Sequence, residues 1–315
     1  MLTGTSRRRF LAVGAAGVGL LAARPLCAGP FKTTLQKAVI RNAPKEDDLK
    51  TIKDAGFQGI EAHTLPVAEA AKARELAEKL GLRIHSVMGG GSPAGLRAAQ
   101  AYGADAVLHV PGGVSGVATP EPWELDIEFD EKTGHLIRVV AGDNAKWAPY
   151  IEAHNRTMDG ARESVKRLIP IAEETKVVVA LENVWNNFNF RPELQRWLVA
   201  SFKSPWVKAY FDIGNHIKYA AAMRDGKLQI VYPPEVWIRT LGPLVAKLHV
   251  KDYRLNSDLR GGNWARIGDG SANWLAIRQA LDEIGYNGWL TDESGLGLPE
   301  LSRRLDHIIA GQPVE

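Results

Sequence analysis

The chain has 315 residues, 45% of them hydrophobic and 24% charged, which is enough for a large buried core. Its formal net charge of +3 depends on four arginines within the first 28 residues; without these four, 35 of the 39 basic residues remain against 36 acidic ones. A nearly neutral chain without a run of like charges excludes a basic nucleic-acid-binding face, and we predict no nucleic-acid partner.

The N-terminus predicts an export signal. The basic cluster Arg7–Arg9 precedes an apolar stretch of roughly a dozen residues, too short to span a bilayer comfortably. With Ser6 before it, the cluster resembles the twin-arginine signal, which implies a periplasmic or otherwise exported protein. We therefore predict a signal peptide at 1–30 and a catalytic domain at 31–315, without stable membrane association after cleavage. An uncleaved membrane anchor is the alternative.

Eight short apolar runs alternate with amphipathic stretches along the remaining chain, which is typical of βα units and a parallel sheet. The similar phrases DAGFQGIE and EIGYNGWL each predict a helix that ends at a glycine before a strand. We predict a single-domain (β/α)8 TIM barrel, because the alternative open sheet would need a glycine-rich phosphate loop after the first strand. The predicted strands are 37–40, 57–63, 82–88, 105–110, 177–183, 207–213, 245–252 and 288–293.

The connection after the fourth strand is too long for a plain βα loop, and we predict an insertion at about 114–150. Within it, LDIEFDEKTGHLIRVV alternates apolar and polar residues on both sides of a turn at 132–134. This pattern predicts a β-hairpin. It would form either a lid over the barrel mouth or a surface decoration.

Four consecutive predicted strands end in, or contain, a residue that can ligate a metal. Glu182 follows the apolar run VVVAL, where an uncompensated carboxylate would cost several kcal/mol. Taken singly, Glu182 and Asp212 could cap helices, His249 could be a core histidine, and Glu293 could be solvated. Together, at the carboxyl end of a barrel, they predict a site for a divalent ion such as Mn²⁺, Mg²⁺, Co²⁺ or Zn²⁺.

Several phrases resemble the xylose-isomerase-like superfamily of sugar phosphate isomerases and epimerases, in family order and over residues 37–310. The resemblance implies that Glu182, Asp212, His249 and Glu293 hold the metal and that Glu182 and Glu293 form the acid/base pair. The chain departs from many members at Asn215, where they carry histidine. The phrases are ALEN at Glu182, FDIGN at Asp212, HVKD at His249, IGDG at 267–270 and YNGWLTDE ending at Glu293.

Further side chains near the predicted strand ends are candidates for substrate binding. A tryptophan can stack on a sugar ring, and the polar or charged members can contact sugar oxygens. Each of them is also compatible with a structural role, and a histidine at 216 can instead begin the next helix. The candidates are Trp185, Asn215, His216, His85, Glu61, Lys251 and Arg260.

The predicted site suits removal of a proton next to a carbonyl group. One of the two carboxylates, Glu182 or Glu293, could take the proton to give an enediolate, and the other could return a proton on the opposite face. Because phosphorylated sugars are mainly cytoplasmic, the export signal indicates an unphosphorylated sugar as substrate. We predict a metal-dependent sugar isomerase or epimerase, and a homo-oligomer is compatible with the sequence.

Two other functions remain open. The first is a 3-keto-glycoside lyase or hydrolase-type enzyme, in which loss of the C2 proton expels the C1 substituent. The second is a non-catalytic periplasmic carbohydrate-binding protein, which would not need two carboxylates beside a metal. DNA-repair endonucleases of the same superfamily are disfavoured by the export signal and by the absence of a basic face.

Overall fold

The structure is a computed structural model that describes residues 31–314. These residues contain fourteen strands and nine α-helices. The predicted export signal at 1–30 lies outside these residues. The strands are β1 (Leu35–Arg41), β2 (Gly59–His63), β3 (Arg83–Met88), β4 (Ala106–His109), β5 (Leu125–Phe129), β6 (Leu136–Val140), β7 (Val178–Glu182), β8 (Val207–Asp212), β9 (Ala221–Arg224), β10 (Lys227–Ile230), β11 (Val245–Val250), β12 (Asp252–Leu255), β13 (Gly262–Ala265) and β14 (Gly288–Asp292).

The helices lie between the barrel strands and after the last of them. No helix within residues 31–314 is both long and apolar enough to cross a membrane. The helices are α1 (Glu46–Asp54), α2 (Val67–Lys79), α3 (Pro93–Tyr102), α4 (Ala148–Thr175), α5 (Pro192–Ser201), α6 (Ile213–Ile217), α7 (Pro234–Leu241), α8 (Trp274–Glu283) and α9 (Leu298–Ala310).

Eight strands are parallel and close into a barrel in the spatial order β1-β14-β11-β8-β7-β4-β3-β2. Each of the eight predicted strands overlaps one of these barrel strands. The (β/α)8 prediction is therefore confirmed. Because parallel strands end at the same rim, the ends of β7, β8, β11 and β14 lie side by side, as the pairing of His249 with Asp212 illustrates.

The two-residue alternation along a strand decides which side chains enter the barrel. On β7, Val179 and Leu181 are buried in the core between the strands and the helices, whereas Ala180 packs with Tyr210 of β8 in a separate apolar group. Glu182 follows Ala180 by two residues and shares its face. The two-residue alternation that buries Ala180 therefore also directs the Glu182 side chain into the barrel mouth.

The predicted insertion contains the predicted hairpin, formed by β5 and β6. Its turn packs on α5, where Trp197 Nε1 donates a hydrogen bond to the Glu131 carbonyl at 2.6 Å. Its second strand is fixed to α4, where the Asn155 amide accepts from Leu136 N–H at 2.7 Å and donates to the Leu136 carbonyl at 3.1 Å. These contacts place the hairpin against α4 and α5.

A second hairpin, β12–β13, leaves the barrel directly after β11, and the buried carboxylate of Asp252 secures its base. A side chain at Gly270 would bring its Cβ to 2.0 Å from Asp252 Oδ1, so the phrase IGDG needs glycine there. The loop 267–272 is therefore wrapped around one carboxylate. Asp252 accepts hydrogen bonds from the N–H groups of Tyr253, Gly268, Gly270 and Ala272 and from Trp274 Nε1, at 2.9 to 3.2 Å.

Replacing Asp252 with alanine is expected to lower the free energy of unfolding by about 3 kcal/mol or more, because several buried donors would lose their acceptor. Urea denaturation measures this change. Asp47→Ala is the control, since the Asp47 side chain is fully exposed at 101% and its loss should cost less than about 1 kcal/mol. Equal stabilities of the two variants would contradict the structural role of Asp252.

Candidate metal and active site

The four predicted ligands converge at the carboxyl end of the barrel. Glu182, Asp212, His249 and Glu293 each offer one ligand atom, and these atoms all lie within 4.8 Å of one another. We call this set the ligand cluster. From His249 Nδ1 the distances are 3.1 Å to Glu182 Oε1, 3.4 Å to Glu293 Oε2 and 3.9 Å to Asp212 Oδ2. Glu293 is the exposed member, and the other three are buried.

Neighbouring residues fix Asp212 in position. The Asn183 side chain accepts a hydrogen bond from Asp212 N–H at 2.8 Å and donates to the Asp212 carbonyl at 2.9 Å. Asp212 Oδ1 accepts from Asn215 N–H at 2.7 Å and so caps α6. Only Oδ2 of this carboxylate remains free to face the cluster.

Lys251 adds a positive charge beside the ligand cluster. Its Nζ lies 2.7 Å from Glu293 Oε2 and 3.0 Å from Asp212 Oδ2. The lysine stem reaches this point across Gly214, where an added Cβ would lie 2.4 Å from Lys251 Cγ and 2.9 Å from its carbonyl oxygen. The glycine of FDIGN and the lysine of HVKD therefore depend on each other sterically.

The charges in the cluster are strongly perturbed. Burial raises the pKa of Asp212 to about 8, against the ammonium of Lys251 and with the repulsion of the Glu182 carboxylate. Burial alone would lower the pKa of His249, but the carboxylates led by Glu61 raise it well above its usual value. For Glu293, burial by itself would raise the pKa, but the positive charges of His249 and Lys251 hold this pKa below its usual range. The crowded carboxylates thus hold positive charge strongly.

A divalent cation fits this donor set. Asp212 Oδ2 is buried and faces the other cluster residues, and the Lys251 ammonium forms an ion pair with it at 3.0 Å. Three carboxylates and one imidazole nitrogen are ligands that divalent metal ions accept. The cluster could therefore bind a metal ion, with Glu182, Asp212, His249 and Glu293 as the residues that would hold it.

Glu61 lies behind His249 rather than among the four ligands. His249 Nε2 is 2.6 Å from Glu61 Oε2, and Ser86 donates a hydrogen bond to Glu61 Oε1 at 2.9 Å. Glu61 and His249 are fully buried. A carboxylate that accepts the Nε2 proton leaves Nδ1 free to ligate a metal and fixes the orientation of the ring.

Glu61→Ala is expected to weaken binding of Mn²⁺ by about 10- to 100-fold, because carboxylates behind a histidine ligand contribute this much. Glu61→Gln should retain part of the affinity, since its amide oxygen can still accept the Nε2 proton. Isothermal titration calorimetry with Mn²⁺ measures both variants. The control is Glu69→Gln on the exposed surface of α2. Wild-type affinity in Glu61→Ala would exclude this positioning role.

The predicted substrate-binding residues lie at different distances from the ligand cluster. Lys251 contacts it directly, and Trp185 Nε1 donates to the carbonyl of Asn215, next to the Asp212 cap, at 2.8 Å. His85 is fully buried, stacks on Trp289 with ring centroids 4.6 Å apart and lies 3.2 Å from the Thr291 hydroxyl.

Neither His216 nor Arg260 contacts the ligand cluster within the described residues. His216 is buried against Trp237 of α7, with ring centroids 3.3 Å apart, and neither of its ring nitrogens has a hydrogen-bond partner. Burial lowers its pKa well below the usual value, so the ring is neutral. Arg260 is exposed in the turn between β12 and β13.

Sequence reasoning missed Asn183 and the position of Glu61 behind His249. Asn183 stands directly after Glu182 in ALEN, and that adjacency was the only local signal for it. Glu61 was considered as a residue lining the pocket, whereas the structure places it as the hydrogen-bond partner of His249. Contacts across 188 residues of sequence leave no trace in local periodicity.

Solved structures with the same fold include sugar epimerases, although identities below 20% show a shared fold only. No curated protein matches the chain significantly. A D-tagatose 3-epimerase-like protein is 15% identical, with a TM-score of 0.60, covering 87% of this chain and 97% of its own. A 3-keto-D-glucoside 4-epimerase from E. coli is 15% identical, with a TM-score of 0.54, covering 82% of this chain and 92% of its own.

A third solved structure was determined with magnesium. This xylose isomerase-like TIM barrel protein from Mycobacterium smegmatis is 18% identical, with a TM-score of 0.58, covering 88% of this chain and 96% of its own. The sequence pattern of one family matches residues 49–300, most of the barrel domain. The chain therefore belongs to the xylose isomerase-like TIM barrel family.

Proposed function

We propose that the chain is a divalent-metal-dependent isomerase or epimerase of an unphosphorylated sugar. The observation that carries the proposal is the convergence of two glutamates, Glu182 and Glu293, on one ligand cluster. They stand on β7 and just after β14, with β8 and β11 between them in the barrel order. A sugar bound at the mouth would therefore meet one carboxylate from each side.

The residues of the chain supply the proton transfers. A bound divalent ion would polarise the substrate carbonyl and make the neighbouring C–H group more acidic. One glutamate removes this proton, and the other returns a proton to the opposite face of the resulting enediolate. Lys251, whose ammonium lies beside both Asp212 and Glu293, can donate a hydrogen bond to a substrate oxygen.

The similar proteins support a sugar as the substrate class. One is a D-tagatose 3-epimerase-like protein, and another is a 3-keto-D-glucoside 4-epimerase. The magnesium in the Mycobacterium smegmatis protein supports a divalent ion as the cofactor. We extend these properties to this chain because its own cluster has the donors that such chemistry requires.

Elimination from a 3-keto-glycoside is the second candidate. In this reaction a base takes the C2 proton, the C1–O bond breaks, a C1=C2 double bond forms, and the leaving oxygen takes a proton back from the protonated base. The observation that favours it is the asymmetry of the pair, since the side chain of Glu182 is 7% exposed and that of Glu293 is 34% exposed. A single exposed base is sufficient for elimination.

Incubation of the metal-loaded protein in D₂O with ketoses and with 3-keto-glycosides, followed by NMR, tests the proposal. Epimerisation predicts deuterium at the inverted carbon, and elimination predicts release of the C1 substituent. A carbohydrate-binding protein would exchange no substrate proton. Absence of exchange with both substrate types in the presence of Mn²⁺, Mg²⁺, Co²⁺ and Zn²⁺ would overturn the proposed function.

The predicted export of the protein is the reason for proposing an unphosphorylated substrate. Replacing Arg7 and Arg8 together with lysine is expected to retain the protein in the cytoplasm, because the twin-arginine pair is what the export machinery reads. Cell fractionation with an antibody measures the distribution. Arg24→Lys, in the same N-terminal segment but outside the arginine cluster, is the matched control. Unchanged delivery of the double variant would remove this reason for an unphosphorylated sugar.

A further inference from the structure

Three aromatic side chains form a cluster that the proposed proton transfer does not use. The rings of Trp185 and Trp264 are stacked, with centroids 4.6 Å apart and planes 10° from parallel. Tyr253 meets both indoles edge-on, with centroids 5.4 Å from each. We call Trp185, Tyr253 and Trp264 the aromatic wall.

The aromatic wall borders the ligand cluster. Lys251 Nζ connects the two, because it lies 5.0 Å from the Trp264 ring centroid and 2.7 Å from Glu293 Oε2. Both parts of the wall also begin at metal-ligand strands. Trp185 follows Glu182 by three residues, and the β12–β13 hairpin that carries Tyr253 and Trp264 continues directly from β11.

Trp264 is more exposed to solvent than the other residues of the aromatic wall. Half of its surface, 50%, is accessible to solvent, whereas Tyr253 is 5% exposed. Its position is nevertheless fixed, since it stacks on Trp185 and its hairpin is secured by Asp252. A rigid exposed aromatic surface can bind an apolar face without a large loss of side-chain entropy.

We infer that the site accepts a glycoside whose C1 substituent is itself a ring with an apolar face, either an aryl group or a second sugar. This inference rests on the proposed function. A single sugar ring is sufficient to occupy the ligand cluster, and a second ring attached to it would extend beyond Lys251 onto Trp264. The C–H face of a pyranose and the face of an aryl ring both pack against indole.

The rim of the aromatic wall also suits a sugar-like ring. Lys218 Nζ lies over the Trp185 ring, 4.4 Å from its centroid, and Lys251 Nζ lies over the Trp264 ring at 5.0 Å, so an ammonium flanks each indole of the stack. Both ammonium groups can donate hydrogen bonds to hydroxyl or ether oxygens at the edge of a bound ring. A free ketose would leave the exposed half of the Trp264 surface in contact with solvent, and this is the basis for choosing a glycoside.

Calorimetric titration of the metal-loaded protein with methyl and phenyl glucopyranosides, in both anomeric forms, and with glucosyl-glucose disaccharides tests the inference. These compounds lack the ketone, so no reaction interferes with the measured Kd. In the wild type, one of the ring-bearing ligands should bind about tenfold more tightly than the methyl glucoside of the same anomeric form. The phenyl and disaccharide arms distinguish an aryl substituent from a second sugar.

Trp264→Ala should remove this preference while leaving the affinity for the methyl glucoside within about twofold, and Trp264→Phe should keep part of it. Asn263→Ala is the matched control, because Asn263 is exposed on the same strand and side chains alternate between its faces. Thermal unfolding verifies that each variant is folded. Equal affinities for the methyl and the ring-bearing ligands in the wild type, or a preference unchanged in Trp264→Ala, would overturn the inference.

Failure of the inference can be distinguished from failure of the proposed function. Deuterium exchange into methyl 3-keto-glucoside reports proton transfer without the second ring. Deuterium exchange without a preference for ring-bearing ligands would support the proposed function and overturn the aromatic wall as a binding surface. A preference that depends on Trp264 without exchange would support the wall and overturn proton transfer.

Discussion

Glu182→Gln and Glu293→Gln are each expected to lower kcat by about 10²- to 10⁴-fold, because loss of a positioned general base typically costs this much. Glutamine keeps a carbonyl oxygen that can ligate the ion but cannot accept the substrate proton. Metal binding should therefore weaken less than turnover. Both carboxylates lie within the 4.8 Å ligand cluster, so each is expected to hold the metal and to move a proton.

The two variants should differ in a way that identifies the reaction. In an epimerase, the variant that keeps the abstracting glutamate should still exchange the substrate proton with D₂O while failing to form the epimer. In an eliminating enzyme, one substitution should abolish product release and the other should have a much smaller effect. NMR in D₂O measures exchange and product together. Full activity of both variants with metal bound would exclude these carboxylates as the proton-transfer groups.

A matched control separates a loss of base from a general loss of carboxylate. Glu163 on α4 is exposed and pairs with Lys166 at 2.7 Å, away from the barrel mouth. Glu163→Gln should keep wild-type kcat and KM. Calorimetric titration of all three variants with Mn²⁺ shows how much of the change in rate follows from metal loss.

Mn²⁺ is expected to stabilise the folded protein by about 2.7 kcal/mol at a free concentration 100 times its Kd, because the ion binds a site that only the folded chain assembles. The physical reason is the burial of Asp212, which raises its pKa to about 8, together with the repulsion from the neighbouring carboxylates of Glu182 and Glu293. A cation would relieve both effects. Urea denaturation with Mn²⁺ and with EDTA measures the difference.

Asp212→Ala should abolish most of this stabilisation, because it removes a buried candidate ligand whose other oxygen accepts the hydrogen bond that caps α6. Asp225→Ala, at the exposed turn between β9 and β10, is the control and should retain the full effect of Mn²⁺. Equal stabilisation of wild type and Asp212→Ala would show that the ion binds elsewhere. No effect of any divalent ion on the wild type would contradict a metal site.

The barrel and the ligand cluster were accessible from local sequence. A parallel strand buried on both faces is a short apolar run, so each of the eight strands carries its own signal, as VVVAL does before Glu182. The strand ends of a barrel share one rim, which is why Glu182, Asp212, His249 and Glu293 could be predicted to meet without knowledge of any contact. The hairpin at 125–140 could also be predicted, because the alternation of apolar and polar residues that indicates it is a local pattern.

Only the tertiary structure decided which neighbours surround these four residues. Glu61 reaches His249 across the barrel, Asn183 fixes Asp212 through its backbone, and His216 turns away from the site to pack on Trp237. The stacking of Trp185 on Trp264 likewise joins two loops from different strands. Local periodicity reports the face of an element on which a side chain lies, whereas the partner across the fold depends on strand order and loop path, which arise only when the whole barrel closes.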